Sequence, residues 1–196
     1  MKLIFASSNK NKFIEVKKII PKNIKLGNLI ELNFFEEIPE KEDNIEGNAI
    51  FKANYINSKF NVNVFADDTG LEVQALDGKP GVHSARYAGN ECNSEKNITK
   101  LLKELKNIKN RKARFKTIIA LVLNKKSYQF EGIINGEILL SKKGKNGFGY
   151  DPIFKPDGYQ KSFAELSIDV KNKISHRALA INKLICLLYT SPSPRD

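Results

Sequence analysis

Segments with the periodicity of β-strands alternate with segments of helical periodicity through the first half of the chain, and this alternation constrains the fold more than any other feature. Residues 2–6 form a short apolar run typical of a strand. Phe13, Val16 and Ile20 then recur at helical spacing, and Pro21 ends that pattern because proline cannot continue a helix. Such alternation is typical of α/β proteins, in which helices cover a sheet.

The rest of the pattern extends this prediction. A second helix is predicted over residues 49–60, after an acidic loop at residues 36–46. The other predicted elements are a strand at 62–66, a turn at 67–70, a short strand at 71–75, a turn at 77–81, a third helix at 98–108, strands at 115–123 and 128–134, a hairpin turn or bulge at Asn135 and Gly136, a loop at 142–149 and a last helix from about Ser175. Strands dominate the middle of the chain, so we expect an α/β fold with a mixed β-sheet.

The sequence shows no internal repeat and no linker. A length of 196 residues suits one domain with a sizeable core, and we predict a single domain over residues 1–188. Residues 189–196 are rich in Ser and Pro, so we expect a disordered tail.

Composition excludes few functions. The net charge of +11 comes from lysines that are scattered along the chain and mixed with acidic residues, so a solvated basic surface explains it as well as a nucleic-acid partner does. No apolar run approaches the roughly 20 residues needed to cross a bilayer, and we expect no membrane association. Cys92 and Cys186 give no disulfide framework, which favours a cytoplasmic location.

The segment between the first strand and the first helix is a candidate phosphate site. A helix N-terminus offers free N–H groups and a partial positive charge, both of which suit phosphate. A plain helix cap followed by surface lysines is the alternative. The segment consists of Ser7, Ser8, Asn9, Lys10, Asn11 and Lys12.

Asp67, Asp68, Thr69 and Gly70 follow an apolar strand-like run. Carboxylates at the end of a strand lie where α/β proteins bind ligands, and Mg²⁺ is usually held by one or two carboxylates together with substrate phosphates. The acidic loop adds two further candidate ligands, Glu40 and Glu46. A turn without function is the alternative, because Asp and Gly favour turns.

Two further segments carry ligand-binding chemistry. Phe148, Gly149, Tyr150 and Asp151 combine aromatic rings with glycine, which permits close backbone approach and stacking on a base. Lys171, His176 and Arg177 are donors that could contact a base edge or a phosphate. Packed aromatic rings and a capped helix with surface charges are the alternatives. Carboxylates, lysines and a His-Arg pair together suit phosphoryl transfer, and no Ser-His-Asp or Cys-His arrangement competes with them.

The order and spacing of these segments resemble the inosine triphosphate pyrophosphatase family, also called noncanonical purine NTP pyrophosphatases or XTP/dITP diphosphatases. The resemblance extends from residue 1 to about residue 185, and its most specific part is Phe-Gly-Tyr-Asp-Pro followed by Ser-His-Arg. The matching stretches are residues 7–12, 47–49 with 52–53, 66–71, 80–87, 147–154 and 174–177.

The resemblance implies a role for each stretch. Residues 7–12 would bind the triphosphate with the help of Lys52, and Thr69 would contact the substrate. Glu40 and Asp68 would bind Mg²⁺, and Asp68 would also accept the proton of the attacking water. Residues 148–151, Lys171, His176 and Arg177 would form the base pocket. The implied activity is hydrolysis of ITP, dITP and XTP to the monophosphate and pyrophosphate, which cleanses the nucleotide pool.

The implied fold is an elongated mixed β-sheet with flanking helices and two lobes around a nucleotide cleft, usually in a homodimer. This chain departs from the family pattern at Gly47, where Glu-Asn-Ala is common, so Glu46 rivals Glu40 as a metal ligand. The Ser/Pro tail is also foreign to the pattern. Two alternatives stay open: a pyrophosphatase of pyrimidine nucleotides, and a basic nucleic-acid-binding module that would leave Glu40, Asp67 and Asp68 unexplained.

Overall fold

A computed structural model describes residues 1–190 of the chain. Within that range the strands are β1 (Lys2–Phe5), β2 (Lys25–Asn28), β3 (Val64–Val73), β4 (Pro80–Gly81), β5 (Lys112–Leu123), β6 (Lys126–Ile138) and β7 (Phe154–Pro156). The α-helices of the same range are α1 (Lys10–Ile19), α2 (Ile45–Phe60), α3 (Ser94–Glu104), α4 (Ile168–Ile174) and α5 (His176–Thr190). The alternation of strands and helices predicted for the first half is therefore confirmed.

The described strands form one mixed sheet in the order β2-β1-β3-β5-β6-β7, with β4 paired to β3. β1 runs parallel to both β2 and β3, whereas β4 is antiparallel to β3 and β7 is antiparallel to β6. Parallel neighbours need crossover connections, and α1 and α2 supply them between β1, β2 and β3. The α/β class with a mixed sheet is confirmed.

The predicted turn at residues 67–70 is wrong. β3 continues without interruption from Val64 to Val73, and Asp67 and Asp68 lie in its middle. The local preference of Asp and Gly for turns is overridden because both carboxylates are buried against cationic side chains. The carboxylates are therefore held by a strand and not by a strand end.

The hairpin turn proposed at Asn135 and Gly136 is also wrong. β6 runs through both residues, and Gly136 pairs with Pro156 of β7. Asn124 and Lys125 instead connect β5 to β6, and both have positive φ, as the tightest two-residue hairpin turns require. The sequence did not predict this turn, because a lysine rarely adopts positive φ.

The chain divides into two compact units. The first comprises residues 1–68, 118–132 and 177–190 of the described range, and the second comprises residues 69–117 and 133–176. Each unit has its own apolar core, built around Phe5 and Phe65 in the first and around Phe115, Phe154 and Phe163 in the second. Whether the nucleotide lies in a cleft between two lobes stays a prediction.

The last helix extends two residues into the segment that was predicted to be a disordered tail. Tyr189 and Thr190, assigned above to the tail, are the last residues of α5. Residues 191–196 lie outside the described residues. Four short elements, β2, β4, β7 and α4, were not predicted, because segments of two to seven residues carry little periodicity. Among residues 1–190 no helix combines the length and apolar character needed to cross a membrane.

Candidate active site

Asp67 and Asp68 contact two different groups of side chains. They are neighbours in β3, and successive side chains of a strand point to opposite faces of the sheet. Both are buried, with 1% and 7% of their surface exposed. Buried carboxylates need cationic or hydrogen-bonding partners, and each finds its own set.

Asp67 lies between two cations. Its Oδ1 is 3.0 Å from Nζ of Lys12, and its Oδ2 is 3.0 Å from Nε of Arg177. Burial alone would raise the pKa of Asp67, but the charges of Lys12 and Arg177 outweigh it and hold that pKa well below its usual range. Arg177 also contacts Glu15 of α1, with Nη1 at 2.5 Å from Oε2. The result is a buried chain of alternating charges that attaches the start of α5 to β3 and to α1.

Asp68 belongs to a second group, in which Lys52 of α2 lies between two carboxylates. Nζ of Lys52 is 3.3 Å from Oδ1 of Asp68 and 3.0 Å from Oε1 of Glu40. Burial would lower the pKa of Lys52, but Asp68 and Glu40 outweigh it and raise that pKa, so the ammonium stays charged. Burial raises the pKa of Asp68, and the nearby Lys52 opposes that shift.

The Glu40–Asp68 pair fits a divalent cation. Oδ2 of Asp68 is buried and has no hydrogen-bond partner among the described residues, which leaves a carboxylate oxygen in need of a cation or a donor. Within residues 1–190 no three His, Cys, Asp or Glu side chains form a metal cluster. Mg²⁺ commonly takes only one or two protein carboxylates and completes its shell with water and phosphate oxygens, so a pair is sufficient.

The rival ligand Glu46 lies in the first turn of α2. Glu40, by contrast, shares Lys52 with Asp68. This shared contact favours Glu40.

The predicted phosphate segment lies where a helix begins. Asn9 is the N-cap of α1, and its Oδ1 accepts a hydrogen bond from Lys12 N at 3.1 Å, while Ser7 Oγ accepts one from Asn9 N at 3.3 Å. The first turn of α1 carries no acidic side chain. The partial positive charge of the helix N-terminus is thus uncompensated locally, and the side chains of Ser8, Lys10 and Asn11 are exposed around it.

The second unit holds a different cluster around Asp151. Oδ2 of Asp151 accepts hydrogen bonds from Lys171 Nζ at 2.5 Å and from Phe148 N at 2.8 Å. The ammonium of Lys171 also lies 4.9 Å from the centre of the Phe148 ring and 5.6 Å from that of Phe163. A Cβ at Gly147 would lie 2.1 Å from Asp151 Oδ2, so only glycine permits this turn. The loop that carries Phe148 and Gly149 is therefore fixed by one buried ion pair.

His176 and Arg177 are neighbours in sequence but contact different side chains. His176 is buried in the second unit with its ring stacked on Phe115 at 4.6 Å, whereas Arg177 belongs to the first unit and is bound by Asp67 and Glu15. Successive residues of a helix point about 100° apart, so adjacent residues meet different surroundings. The placement of His176 and Arg177 in the base pocket stays a prediction, whereas the alternative of a capped helix with surface charges is wrong, because both side chains are buried.

Tyr150 and Thr69 have mainly structural contacts. Tyr150 packs in the core of the second unit, and its hydroxyl donates to Ser84 O at 2.9 Å; its part in the base pocket stays a prediction. Ser84 in turn accepts from Leu71 N at 2.8 Å through its hydroxyl, which gives the segment at residues 80–87 a role in packing. Thr69 Oγ1 lies 2.6 Å from Thr117 Oγ1 on β5 and keeps part of its surface exposed.

Glu15 and Phe115 are among the residues of these clusters that were missed in the sequence. Glu15 is only 4% exposed, yet a glutamate on a helix rich in lysine is typical of a solvated face. Phe115 lies in a β-rich run, where an aromatic residue normally indicates core packing. Neither carries a sequence signal for the site, because its role depends on a partner more than 60 positions away.

The chain matches known proteins over nearly its whole length. The model of the Ham1 family matches residues 3–187. A dITP/XTP pyrophosphatase of Flavobacterium johnsoniae is 56% identical over 188 residues, which are 96% of this chain and 98% of that relative. A dITP/XTP pyrophosphatase of Porphyromonas gingivalis is 47% identical over 184 residues, 93% of this chain and 95% of that one.

Solved structures agree with these sequence matches. The Ham1 protein of Staphylococcus aureus is 40% identical, with a TM-score of 0.88 over 96% of this chain and 98% of that one. A HAM1 protein from Coxiella burnetii is 35% identical, with a TM-score of 0.89 over 97% of this chain and 100% of that one.

Proposed function

The chain belongs to the Ham1 family, and from that premise we propose that it hydrolyses the noncanonical purine nucleoside triphosphates dITP, XTP and ITP to the nucleoside monophosphate and pyrophosphate. Relatives of nearly equal length, up to 56% identical, are named dITP/XTP pyrophosphatases, which supports the reaction and the purine preference. The physiological role is removal of such nucleotides from the nucleotide pool.

The observation that carries the proposed chemistry is the buried oxygen Oδ2 of Asp68. It has no hydrogen-bond partner among the described residues, while Oδ1 of the same carboxylate is held by Lys52. A carboxylate fixed at one oxygen and unsatisfied at the other is suited to accept a proton from a water molecule aimed at the α-phosphorus. We assign Asp68 the role of catalytic proton acceptor.

Glu40 and Asp68 are the residues that would hold Mg²⁺. When bound, the cation would neutralise phosphate charge and stabilise the departing pyrophosphate. Lys12 and Lys52, together with the N-terminus of α1 and residues 7–11, bind the phosphate oxygens. Catalysis of this kind depends mostly on positioning and on charge stabilisation, and the ion pairs of Lys12 and Lys52 hold both ammonium groups in place before substrate arrives.

Base selection belongs to the second cluster. Hypoxanthine and xanthine present a keto oxygen at position 6, where adenine presents an amino group. Lys171 and His176 are donors that suit a keto oxygen, and the half-buried ring of Phe148 offers a stacking surface. A site built on buried hydrogen-bond donors can reject the wrong partner by about 10⁴-fold. Arg177 contacts Asp67 and Glu15, and its contact with the base stays a prediction.

Pyrophosphate release from dITP, XTP, ITP, GTP and ATP, with Mg²⁺ and with EDTA, tests the proposal. We expect Mg²⁺-dependent turnover of the first three nucleotides and a kcat/KM for ATP lower by at least about 10²-fold. Turnover of ATP at the rate of XTP would contradict the base assignment, and full activity in EDTA would contradict the metal assignment. A homodimer, a cytoplasmic location and the absence of nucleic-acid binding stay predictions, which size-exclusion chromatography, cell fractionation and a DNA-binding assay would check.

A further inference from the structure

The backbone next to Glu40 is held by a side chain of α2. Asn48 is only 3% exposed, and its amide contacts both backbone groups of Glu42: Oδ1 accepts from Glu42 N at 3.1 Å, and Nδ2 donates to Glu42 O at 3.2 Å. A side-chain amide that pairs with both the N–H and the C=O of one residue fixes the position and the orientation of that residue. The loop is thus anchored two residues beyond Glu40.

Gly47 allows the loop to approach the helix this closely. A Cβ at position 47 would lie 2.8 Å from Cβ and 2.9 Å from Cγ of Glu42, which is closer than carbon atoms approach. Glycine is less favourable in a helix than alanine, so its presence at the third residue of α2 needs a reason. Contact with Glu42 supplies that reason, and it accounts for the departure from the common Glu-Asn-Ala pattern.

Asn48 and Lys52 divide the task of holding the loop. They are four residues apart and therefore lie on one face of α2. Asn48 binds the backbone of the loop, whereas Lys52 binds the carboxylate of Glu40 and also that of Asp68. The carboxylates of Glu40 and Asp68 are thereby held in position by one and the same helix.

We propose that Asn48, with Gly47 beside it, is a positioning residue that sets the distance of Glu40 from Asp68 and hence the affinity for the divalent cation. The inference rests on the proposed function, because it takes Glu40 and Asp68 as the metal ligands. Two residues of extended chain span about 7 Å, so release of Glu42 gives the Glu40 carboxylate freedom on the ångström scale. Metal–ligand distances vary by only about 0.2 Å, so such freedom weakens binding.

The test compares Asn48→Ala with Asn57→Ala. Asn57 is a matched control in the same helix, where its Nδ2 donates to the backbone oxygen of Val62 at 2.9 Å, but it does not contact the Glu40 loop. At saturating XTP we expect Asn48→Ala to raise the Mg²⁺ concentration for half-maximal pyrophosphate release by about 10-fold or more, as loss of residues that orient metal ligands does. Asn57→Ala should leave that concentration unchanged.

A second readout is independent of activity. Hydrogen exchange of the Glu42 amide, followed in metal-free protein, should accelerate in Asn48→Ala and not in Asn57→Ala, because only the first loses the acceptor of that N–H. Asn48→Asp keeps an acceptor but loses the donor to Glu42 O, and it should give an intermediate Mg²⁺ shift. Unchanged Glu42 exchange in Asn48→Ala would overturn the proposal.

The contact at Gly47 gives a rescue experiment. Gly47→Ala should raise the Mg²⁺ requirement by displacing Glu42. The double variant Gly47→Ala with Glu42→Gly should lower that requirement towards its original value, because the second change removes the two atoms that lie within 3 Å of the new Cβ. Glu40→Gln distinguishes the role of Glu40 as a metal ligand from the role of Asn48 in positioning it. If it leaves the Mg²⁺ dependence unchanged, the metal assignment of the proposed function fails. If it shifts that dependence while Asn48→Ala does not, only the positioning role fails.

Discussion

In the first unit mostly buried charges, with the more exposed Glu40, form chains of alternating sign, whereas in the second unit a buried ion pair lies between aromatic rings. Glu15, Arg177, Asp67 and Lys12 form one chain, and Asp68, Lys52 and Glu40 form another. In the second unit Lys171 and Asp151 are bordered by Phe148 and Phe163, and His176 stacks on Phe115. Under the proposed function, the charges of the first unit would bind phosphates, and the rings and donors of the second unit would distinguish an uncharged base by stacking and by hydrogen-bond direction.

The comparison predicts that the two clusters affect different kinetic quantities. Changes in the first unit should alter turnover and metal dependence without altering the preference for one base over another. Changes in the second unit should alter the preference for one base over another without altering turnover or metal dependence.

The largest effect is expected from Asp68→Asn. The amide keeps the size of the side chain but cannot accept the proton of water, so kcat for XTP should fall by roughly 10²–10⁴-fold. The ratio of kcat/KM for XTP and ATP should stay within about threefold of the original, because Asp68 does not belong to the base cluster. A near-normal kcat would reject Asp68 as the proton acceptor, and a changed ratio would break the division of tasks.

Arg177→Met is expected to act on stability. The change leaves Asp67 and Glu15 buried without their common cation, and breaking a buried ion pair on one side costs about 3–5 kcal/mol. Chemical denaturation should show this loss in the free energy of unfolding. Lys183→Met, at an exposed lysine of the same helix, is the control and should change stability by less than about 0.5 kcal/mol. Equal stability of the two variants would contradict the arrangement around Asp67.

Gly147→Ala should lower the free energy of unfolding by less than Arg177→Met does, and its structural effect should be confined to the second unit. Gly147 has φ of 76°, in the left-handed region, and a methyl group there collides with Asp151 Oδ2. Strain of this kind costs about 1–3 kcal/mol and displaces the Phe148 loop. We expect a raised KM for XTP with an unchanged Mg²⁺ requirement. Gly158→Ala is the control, since Gly158 also has positive φ but open space around it; a changed Mg²⁺ requirement in Gly147→Ala would count against the separation of tasks.

The smallest effect is expected from His176→Phe. The new ring keeps the stacking on Phe115 but removes the imidazole nitrogens, so stability should change little while discrimination between XTP and ATP falls. Loss of one neutral hydrogen bond is worth about 1 kcal/mol, or roughly fivefold in the ratio of kcat/KM values. A substrate panel measures that ratio, and an unchanged ratio would remove His176 from base recognition.

Sequence and structure agree best where periodicity is long and local. The helix that begins after Asn9, the helix through residues 49–60 and the strands at residues 115–123 and 128–134 were all predictable, because each repeats its apolar spacing over several turns or pairs. The tetrapeptide at residues 67–70 was not predictable. Its local preference indicates a turn, and only the distant Lys12, Lys52 and Arg177 make a buried strand favourable there.

By itself the sequence determined the α/β class, the family and the residue types needed for phosphate and metal chemistry, because these depend on local periodicity and on the order of motifs. Tertiary structure alone decided which of those residues act together. It gave His176 and Arg177 different partners, brought Glu40 to Lys52, and brought Glu15 to Arg177 across 162 positions of the chain. The physical reason is that burial forces every charge to find a partner, and the identity of that partner depends on the packing of distant elements and not on neighbours in sequence.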